Sequence, residues 1–452
     1  MCTPCQKTWP KLEGCEPKGE DFGEILDEKL ILQTLLTSPT SPGLHLYAGH
    51  CAVHYAVYAC QYVLRWLLTF MFRVPLQGIR LSTFFARLAL YIIFLLPAMI
   101  CGLAYWAFAG KDILSMKYKD KGTFRHTVDI YLPNSTAKAR LAGKDPESPT
   151  PVLILVAGGA FILGHKGYVT MLCRALRLAG ILCIAVDYRY WPQTSIDGMI
   201  DDVDSAVQWC FDNASRYGGD PKRISLLGLS SGAHVAGLLL TRRAKPGHGS
   251  ARKASKSTPC TPTWSPSDLV GFIGLGGIYE LHSRFMAHLH QKGIDVFLQQ
   301  LVLGDTQALR ESRSPSILLR RDGEIGRHLP PVLLLHGTGD KIVPPDQSEG
   351  FCQELLKSRV SVRLLFHEGQ GHNDPVIHSP LMSNHETVEA IILSIHEWTS
   401  GQKLNDGRLL PDDSDNMNSI FPDSCRAQLA ALPTWPRTPE PVIQIARFLT
   451  PF

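Results

Sequence analysis

The sequence predicts an α/β fold in which helices cover both faces of a mostly parallel, doubly wound sheet. From about residue 113 onward, short apolar runs alternate with longer runs of helical spacing, and glycine- and proline-containing turns separate them. This alternation is typical of a parallel sheet with crossover helices. A serine lies in a glycine turn, Gly228–Gly232, between one such strand and one such helix. This arrangement is typical of the α/β-hydrolase fold.

The predicted strands are short apolar runs bounded by turn residues, and the predicted helices are longer runs with helical spacing. The strands are Val128–Leu132, Val152–Val156, Ile181–Val186, Arg223–Leu227, Val270–Leu275, Pro331–His336 and Val360–Phe366. The helices are Ile200–Phe211 and Ala233–Leu240, and the second begins directly after the serine turn.

The turn itself reads Gly228-Leu229-Ser230-Ser231-Gly232. A strand, a sharp turn that bears a serine and a following helix form the nucleophile elbow of an α/β-hydrolase fold. The glycines are needed because the turn leaves no room for side chains on either side of the serine. The pattern alone is weak, since a glycine-rich turn without chemistry has the same residues. Its place between strand and helix predicts Ser230 as a nucleophile.

A serine hydroxyl needs a base to take its proton and an acid to hold that base. In this fold the chain order is serine, then aspartate or glutamate, then histidine. Asp340 follows the predicted strand Pro331–His336, and His372 follows Val360–Phe366. The sequence therefore predicts Asp340 as the acid and His372 as the base.

Three other residues compete for these two roles. His367 still belongs to the strand run, and His378 comes late, beside Ser379-Pro380. Asp346 follows two prolines, where we expect it to begin a helix and cap its N-terminus. All three positions are less suitable than those of Asp340 and His372.

An oxyanion hole requires backbone N–H groups aimed at the oxygen that becomes negative. The early strand Val152–Val156 ends in Ala157-Gly158-Gly159-Ala160-Phe161. We expect Gly159 and Ala160 to supply two donors and Ser231 a third, with Gly158 in the part of the loop that faces the substrate. An ordinary Gly-Gly turn is the alternative; the order of this loop ahead of the elbow favours the functional interpretation.

Composition excludes several classes of function. The net charge of +4 is too small to indicate nucleic-acid binding, and no stripe of basic and aromatic residues is present. Cys2-x-x-Cys5 lacks a second cysteine pair, and His288-x-His290 lacks further ligands, so no metal site is expected. The sequence also has no nucleotide-binding loop, and we expect no cofactor.

The N-terminal part differs in composition from the rest. Residues 1–50 are polar and are expected to be partly disordered, and residues 51–112 are expected to form a membrane-associated region with one or two helices. Leu88–Gly110 contains no charged residue and, as a helix, is long enough to span a bilayer core. A buried helix of a soluble domain is the alternative. Ala52–Phe72 is a less regular second candidate, because Arg65 interrupts it; an amphipathic helix that lies in the membrane interface is the alternative for this stretch.

The catalytic domain is expected over residues 113–400. Within it, residues 242–268 are basic and rich in serine and proline, which predicts a disordered insertion. Residues 279–329 lie where this fold carries a lid, and Val296–Leu303 provides an apolar helix for it. Residues 401–452 form a polar tail that contains a short amphipathic helix, Pro441–Phe448.

Several motifs together resemble one known family, the isoprenylcysteine alpha-carboxyl methylesterases. These motifs are Ala157–Phe161 with Gly164, Asp187-Tyr188-Arg189, Tyr217–Pro221, Ser231–His234, the N-terminal apolar stretches and the ending Ala446-Arg447 with Pro451-Phe452. The similarity runs from about residue 62 to 452, apart from 242–268 and much of 400–440. The chain differs from broader lipase relatives at Ala157, where many of them have histidine.

The resemblance implies a membrane-bound esterase of the endoplasmic reticulum and Golgi. We expect its catalytic domain to lie in the cytosol. It implies hydrolysis of the methyl ester of C-terminal prenylated cysteine, carried by proteins or small molecules, to a free carboxylate and methanol. Ser230, Asp340 and His372 fall on the family's triad motifs. The triad alone leaves open a general carboxylesterase or lipase, or an arylformamidase. A non-catalytic receptor on this scaffold is less compatible with three triad residues in order.

Overall fold

The computed structural model describes most of the predicted catalytic domain. The described residues are 113–133, 136, 148–245, 262–281, 283–291, 298, 303–304, 306–378 and 386–400, with 79, 82–83, 85–90, 93, 441–442, 445 and 448. The polar segment 1–50, the candidate span Ala52–Phe72 and most of Leu88–Gly110 lie outside them. No helix built from the described residues is both long and apolar enough to cross a membrane.

Eight strands of the described chain form one sheet in the order β1-β2-β4-β3-β5-β6-β7-β8. They are β1 Ile113–Lys117, β2 Thr127–Tyr131, β3 Thr150–Val156, β4 Leu182–Val186, β5 Gly219–Leu229, β6 Gly271–Leu275, β7 Val332–Gly337 and β8 Val362–His367. β2 pairs antiparallel with both β1 and β4, and all pairs from β4 to β8 are parallel. The predicted mostly parallel sheet is confirmed.

The strand order reverses at β3, which lies between β4 and β5. In an open α/β sheet, ligands bind outside the carboxyl ends of the strands at such a switch point. The oxyanion loop candidate follows β3, and the serine turn follows β5. The sheet therefore brings these two segments to the same crevice.

The helices connect the strands and pack on the sheet. They are α1 Thr170–Leu178, α2 Ile196–Asn213, α3 Ser231–Arg243, α4 Ser283–Gln291, α5 Gln307–Ser312, α6 Pro315–Arg321, α7 Asp346–Lys357 and α8 Glu386–Ser400. Short 3₁₀ turns cover Lys166–Val169, Ala214–Tyr217, Pro266–Asp268 and Gly323–His328, and a π-helical turn covers Asp374–His378. α3 is buried from Ser231 to Thr241, so the helix that follows the serine lies inside the core.

The predicted disordered insertion, 242–268, is too wide at both ends. α3 continues through Arg243, and Trp264 is 4% exposed. The Trp264 indole donates to Asp204 at 2.8 Å, and the Arg243 guanidinium lies 4.6 Å from the Trp264 ring centre. Burial of an aromatic side chain and a charged pair orders residues whose composition alone predicts disorder. Residues 246–261 lie outside the described part.

The predicted lid region, 279–329, contains α4, α5 and α6. Most of its predicted apolar helix, Val296–Leu303, lies outside the described residues, so the lid stays a prediction. Residues 401–440 also lie outside them. In the predicted amphipathic helix of the tail, Pro441, Val442, Ile445 and Phe448 have helical backbone.

The turn between β1 and β2 is fixed by a buried carboxylate. Asp202 of α2 is fully buried and accepts from Lys119 Nζ at 2.8 Å, His126 Nε2 at 2.9 Å and Arg189 Nε at 2.8 Å. The Thr123 N–H donates to His126 Nδ1, so Nε2 carries the hydrogen that Asp202 accepts. Burial alone would raise the pKa of Asp202, but these hydrogen bonds outweigh burial and hold that pKa well below its usual value.

Candidate active site

Ser230 lies in a strained turn between β5 and α3. Its φ of 56° and ψ of −122° belong to a conformation that non-glycine residues rarely adopt. A Cβ atom at Gly228 would lie 2.7 Å from the Ala233 amide nitrogen. A Cβ atom at Gly232 would lie 2.5 Å from the Ala157 carbonyl oxygen. The two glycines are therefore required because backbone lies against both of them.

The side chains of Ser230, His372 and Asp340 form one hydrogen-bonded chain. His372 Nε2 lies 2.7 Å from Ser230 Oγ, and His372 Nδ1 lies 2.6 Å from Asp340 Oδ2. These contacts join residues from the loops after β5, β7 and β8. The arrangement allows imidazole to accept the serine proton while the carboxylate stabilises the resulting positive charge.

The Asp340 carboxylate is fixed on both oxygens. Oδ1 accepts from the Ile342 and Val343 amides at 2.8 and 2.9 Å, and Oδ2 faces His372 and, at 3.2 Å, His336 Nε2. Burial would raise the pKa of Asp340, but the electrostatic attraction of the adjacent His372 ring and the hydrogen bonds from His336 and His372 hold that pKa well below its usual value. The carboxylate thus accepts from His372 Nδ1, which leaves Nε2 free to accept from Ser230.

The acid and base loops are joined through their backbones. The Gly339 amide donates to the Gln370 carbonyl at 2.9 Å, and the Thr338 amide donates to the His367 carbonyl at 3.0 Å. The Asp374 side chain accepts from the Gly371 amide at 2.8 Å. The separation between the carboxylate and the imidazole is therefore set by rigid contacts.

The loop after β3 turns sharply beside Ser230. Gly159 has a φ of 130°, Ala160 of 52° and Phe161 of 67°, which are left-handed values for all three. Within the described chain, the amides of Gly159, Ala160 and Ser231 have no protein acceptor. Gly158 lies directly against the elbow, because a Cβ atom on Gly158 would be 2.8 Å from Ser230 Cβ. These three amides remain available to a ligand oxygen.

Two hydrogen bonds attach this loop to its surroundings. Ser231 Oγ accepts from the Phe161 amide at 3.3 Å, and the Tyr188 hydroxyl donates to the Ala157 carbonyl at 2.9 Å. The sequence pattern predicts no role for Tyr188 or for His336. The run Asp187-Tyr188-Arg189 was visible as a family motif, but no local pattern shows which backbone carbonyl Tyr188 contacts.

Two of the three competing residues, His367 and Asp346, make other contacts. His367 is the last residue of β8, and its Nδ1 lies 3.4 Å from the Glu386 carboxylate. Asp346 is the first residue of α7, as expected, but the N-cap is Pro345, so the predicted capping role of Asp346 is wrong. Asp346 instead lies 3.3 Å from Arg284. The side chain of His378 is outside the described part of the structure.

Comparison with known proteins identifies the class of enzyme. A protein-family model described as BD-FAE matches residues 128–355. A rice protein named as a probable isoprenylcysteine alpha-carbonyl methylesterase is 31% identical over 322 residues, which cover 71% of this chain and 72% of the relative. The isoprenylcysteine alpha-carbonyl methylesterase of Arabidopsis thaliana is 29% identical over 339 residues, covering 74% of this chain and 73% of that protein.

A solved structure agrees on the fold. Esterase B from Lactobacillus Rhamnosis superposes with a TM-score of 0.52 at 18% identity, covering 70% of this chain and 96% of that one. At this level of identity the likeness concerns the fold alone. By its similarity to these relatives, the chain belongs to the isoprenylcysteine alpha-carbonyl methylesterase family of α/β-hydrolase esterases and is a carboxylic ester hydrolase.

Proposed function

We propose that the protein hydrolyses the carboxyl methyl ester of C-terminal isoprenylated cysteine, with Ser230 as nucleophile, His372 as base and Asp340 as the acid that orients it. The observation that carries the mechanism is the continuous contact from Ser230 Oγ through His372 to Asp340, at 2.7 and 2.6 Å. The names of the plant relatives support the class of ester.

The first half of the reaction transfers the acyl group to serine. His372 Nε2 takes the hydroxyl proton as Ser230 Oγ attacks the ester carbonyl carbon. The carbonyl oxygen becomes negative and accepts from the amides of Gly159, Ala160 and Ser231. Asp340 stabilises the imidazolium. His372 then gives the proton to the methoxy oxygen, so methanol leaves and an acyl-serine ester remains.

The second half reverses the roles. A water molecule gives one proton to His372 Nε2, and its oxygen attacks the acyl carbon. The same three amides donate to the carbonyl oxygen as it becomes negative. Collapse of the tetrahedral intermediate returns the proton to Ser230 Oγ and releases the prenylcysteine carboxylic acid, which then loses its remaining proton to solvent and becomes the carboxylate. One water molecule is consumed and one methanol molecule is formed in each cycle.

The proposed substrate has a long apolar chain that lies in a membrane and a small ester at its polar end. A methyl leaving group needs little space on the alcohol side. We propose that residues 51–112 hold the enzyme at membranes of the endoplasmic reticulum and Golgi, with the catalytic domain in the cytosol. The uncharged run Leu88–Gly110 supports this. Protease protection of the full chain in microsomes tests the orientation, and release by carbonate washing would contradict an integral span.

Methanol release from farnesylcysteine methyl ester tests the substrate and the site together. The wild-type chain should release methanol, and Ser230→Ala and His372→Ala should lose at least about 1,000-fold in kcat. Ser225→Ala is the matched control, because Ser225 is a fully buried serine of β5. It should keep its activity.

p-Nitrophenyl acetate separates the two parts of the proposal. Hydrolysis of this short ester without any action on the farnesylcysteine ester would overturn the substrate and favour a general carboxylesterase. Retained hydrolysis of both esters by Ser230→Ala would overturn the assignment of the nucleophile.

A further inference from the structure

Arg125 is a buried cation that the reaction described above does not use. Its side chain is 2% exposed. Nη1 lies 3.0 and 3.2 Å from the two oxygens of Asp187, and it also donates to the Gly164 carbonyl at 3.0 Å. The guanidinium carbon lies 5.3 Å from the ring centre of Tyr190. Arg125 therefore joins the turn after β1 to a carboxylate and to the end of the oxyanion loop.

Gly164 is in direct contact with the oxyanion donor Gly159. A Cβ atom on Gly159 would lie 2.6 Å from Gly164 Cα and closer still to its nitrogen. The Gly159 carbonyl also accepts from the Ile162 and Leu163 amides at 2.9 and 2.8 Å. Because the turn closes on itself, a shift of the Gly164 carbonyl is transmitted to Gly159.

The segment after β4 holds both ends of this loop. At the entry, the Tyr188 hydroxyl binds the Ala157 carbonyl at 2.9 Å. At the exit, Asp187 holds Arg125, and the Tyr190 ring lies so close to Gly164 that a Cβ atom there would overlap it. Tyr188 and Tyr190 themselves pack with ring centres 4.2 Å apart. The left-handed residues Gly159–Phe161 thus lie between two fixed contacts, one at Ala157 and one at Gly164.

We propose that Arg125, paired with Asp187, is a positioning residue that sets the oxyanion loop so that the Gly159 and Ala160 amides point at the reacting oxygen. This rests on the proposed role of that loop as the oxyanion hole. The Arg125 guanidinium offers several N–H groups in a fixed plane, whereas a lysine ammonium is a compact charge on a flexible stem. Lysine should therefore replace Arg125 only in part.

The test compares Arg125→Met with the wild type on p-nitrophenyl acetate. The kcat should fall about 10- to 100-fold, as expected when oxyanion donors are misplaced, while KM changes less than about twofold. Affinity for a trifluoromethyl ketone, which forms a hemiketal oxyanion on Ser230, should fall by the same factor. Arg125→Lys should recover part of the kcat, and Asp187→Asn should lower it.

Arg243→Met is the matched control, because Arg243 is also an arginine with a largely buried, paired side chain, and it lies at the opposite end of α3 from the serine turn. Its side chain is 8% exposed, pairs with Asp204 at 2.9 Å and lies over Trp264. It should lose a similar amount of thermal stability and keep its kcat. An equal kcat loss in Arg243→Met and Arg125→Met would overturn the proposal, because general destabilisation would then explain both.

A kcat of Arg125→Met within twofold of wild type would also overturn it. If Arg125→Met does not fold, Arg125→Lys and Asp187→Asn decide: unchanged kcat and ketone affinity in both would refute the proposal. The readout uses a short ester, so it stands even if the farnesylcysteine ester is not a substrate. Activity retained in Ser230→Ala would instead show that the proposed function itself has failed.

Discussion

Adding one methyl group at Gly232 should disable the active site without touching any reacting atom. Gly232 is the second residue of α3, two positions after Ser230 and one after the Ser231 amide. A Cβ atom there would lie 2.5 Å from the Ala157 carbonyl oxygen and closer to that of Val156. Both are backbone atoms at the end of β3, so neither can rotate away.

The size of the effect follows from how much too close a Cβ atom on Gly232 would lie to the backbone of β3. Ordinary van der Waals contact at such a position begins at 3.4 Å, so α3 must move by about 1 Å relative to β3. A misplacement of about 1 Å costs on the order of 100-fold in rate. Overpacking of this kind costs about 1–3 kcal/mol of stability. Gly232→Ala should therefore lower kcat about 100-fold and lower the free energy of unfolding.

Gly237 provides a control in the same helix. A Cβ atom there would lie 3.6 Å from Pro315 and 3.7 Å from Tyr279, which is ordinary contact. Alanine is favoured over glycine inside a helix by about 1 kcal/mol. Gly237→Ala should therefore keep its kcat and become slightly more stable, so the two variants should change stability in opposite directions.

The assay is steady-state hydrolysis of p-nitrophenyl acetate together with urea denaturation of both variants. If Gly232→Ala folds and keeps a wild-type kcat, the close approach of α3 to β3 does not position the serine, and this reasoning is refuted. A rise in the stability of Gly232→Ala would likewise contradict it, since propensity would then outweigh the overlap.

Two further predictions concern the triad and a neighbouring histidine. In Asp340→Asn, the amides of Ile342 and Val343 should keep an oxygen at the Oδ1 position, which turns the NH₂ group toward His372 Nδ1 and puts the hydrogen on Nε2. The kcat should fall about 10,000-fold, and a loss below about tenfold would contradict this tautomer argument. Burial lowers the pKa of His234 to about 4, while its bond to the Ile278 carbonyl opposes that shift. In the unfolded chain the pKa of histidine is about 6.5. Between pH values of about 4 and 6.5, His234 therefore takes up a proton only in the unfolded state. The free energy of unfolding should fall as the pH is lowered through this range, by about 2 kcal/mol at about pH 5.

Urea denaturation at about pH 5 and 7.5 measures the histidine effect. His234→Asn keeps a donor for the Ile278 carbonyl and should lose this part of the pH dependence. His288→Asn is the control, because His288 lies on the surface side of α4, where its Nε2 contacts the Lys341 carbonyl at 2.9 Å. If the free energy of unfolding of His234→Asn fell between about pH 7.5 and about pH 5 as much as that of the wild type, another group would be responsible for the pH dependence.

The sequence was most informative where strands are buried on both faces. Val152–Val156 and Ile181–Val186 were predicted within two residues of β3 and β4, because continuous apolar runs have clear ends. β5 begins four residues before its predicted start, because Pro221 and Lys222 are exposed and no apolar run precedes Arg223. β1, a half-exposed edge strand, was not predicted as a separate strand, for the same reason.

The site divides in a similar way. The residue types and chain order of Ser230, Asp340 and His372 were sufficient to name side chains that the fold places in contact, because each follows a strand at the same edge of the sheet. The contact of Arg125 with Gly164 has no such signal. It joins residues 39 positions apart and depends on the register of β2 against β4, which no local pattern records.

The β1–β2 ribbon has a practical consequence for shortening the chain. Its turn supplies hydrogen-bond donors for two carboxylates in the interior: Arg125 for Asp187, and Lys119 and His126 for Asp202. A fragment that starts after β2 would retain every triad residue, yet Asp187 would lose Arg125, and Asp202 would keep only Arg189 of its three side-chain donors. Any expressible catalytic fragment must therefore begin upstream of Ile113, even though the nucleophile lies more than a hundred residues later.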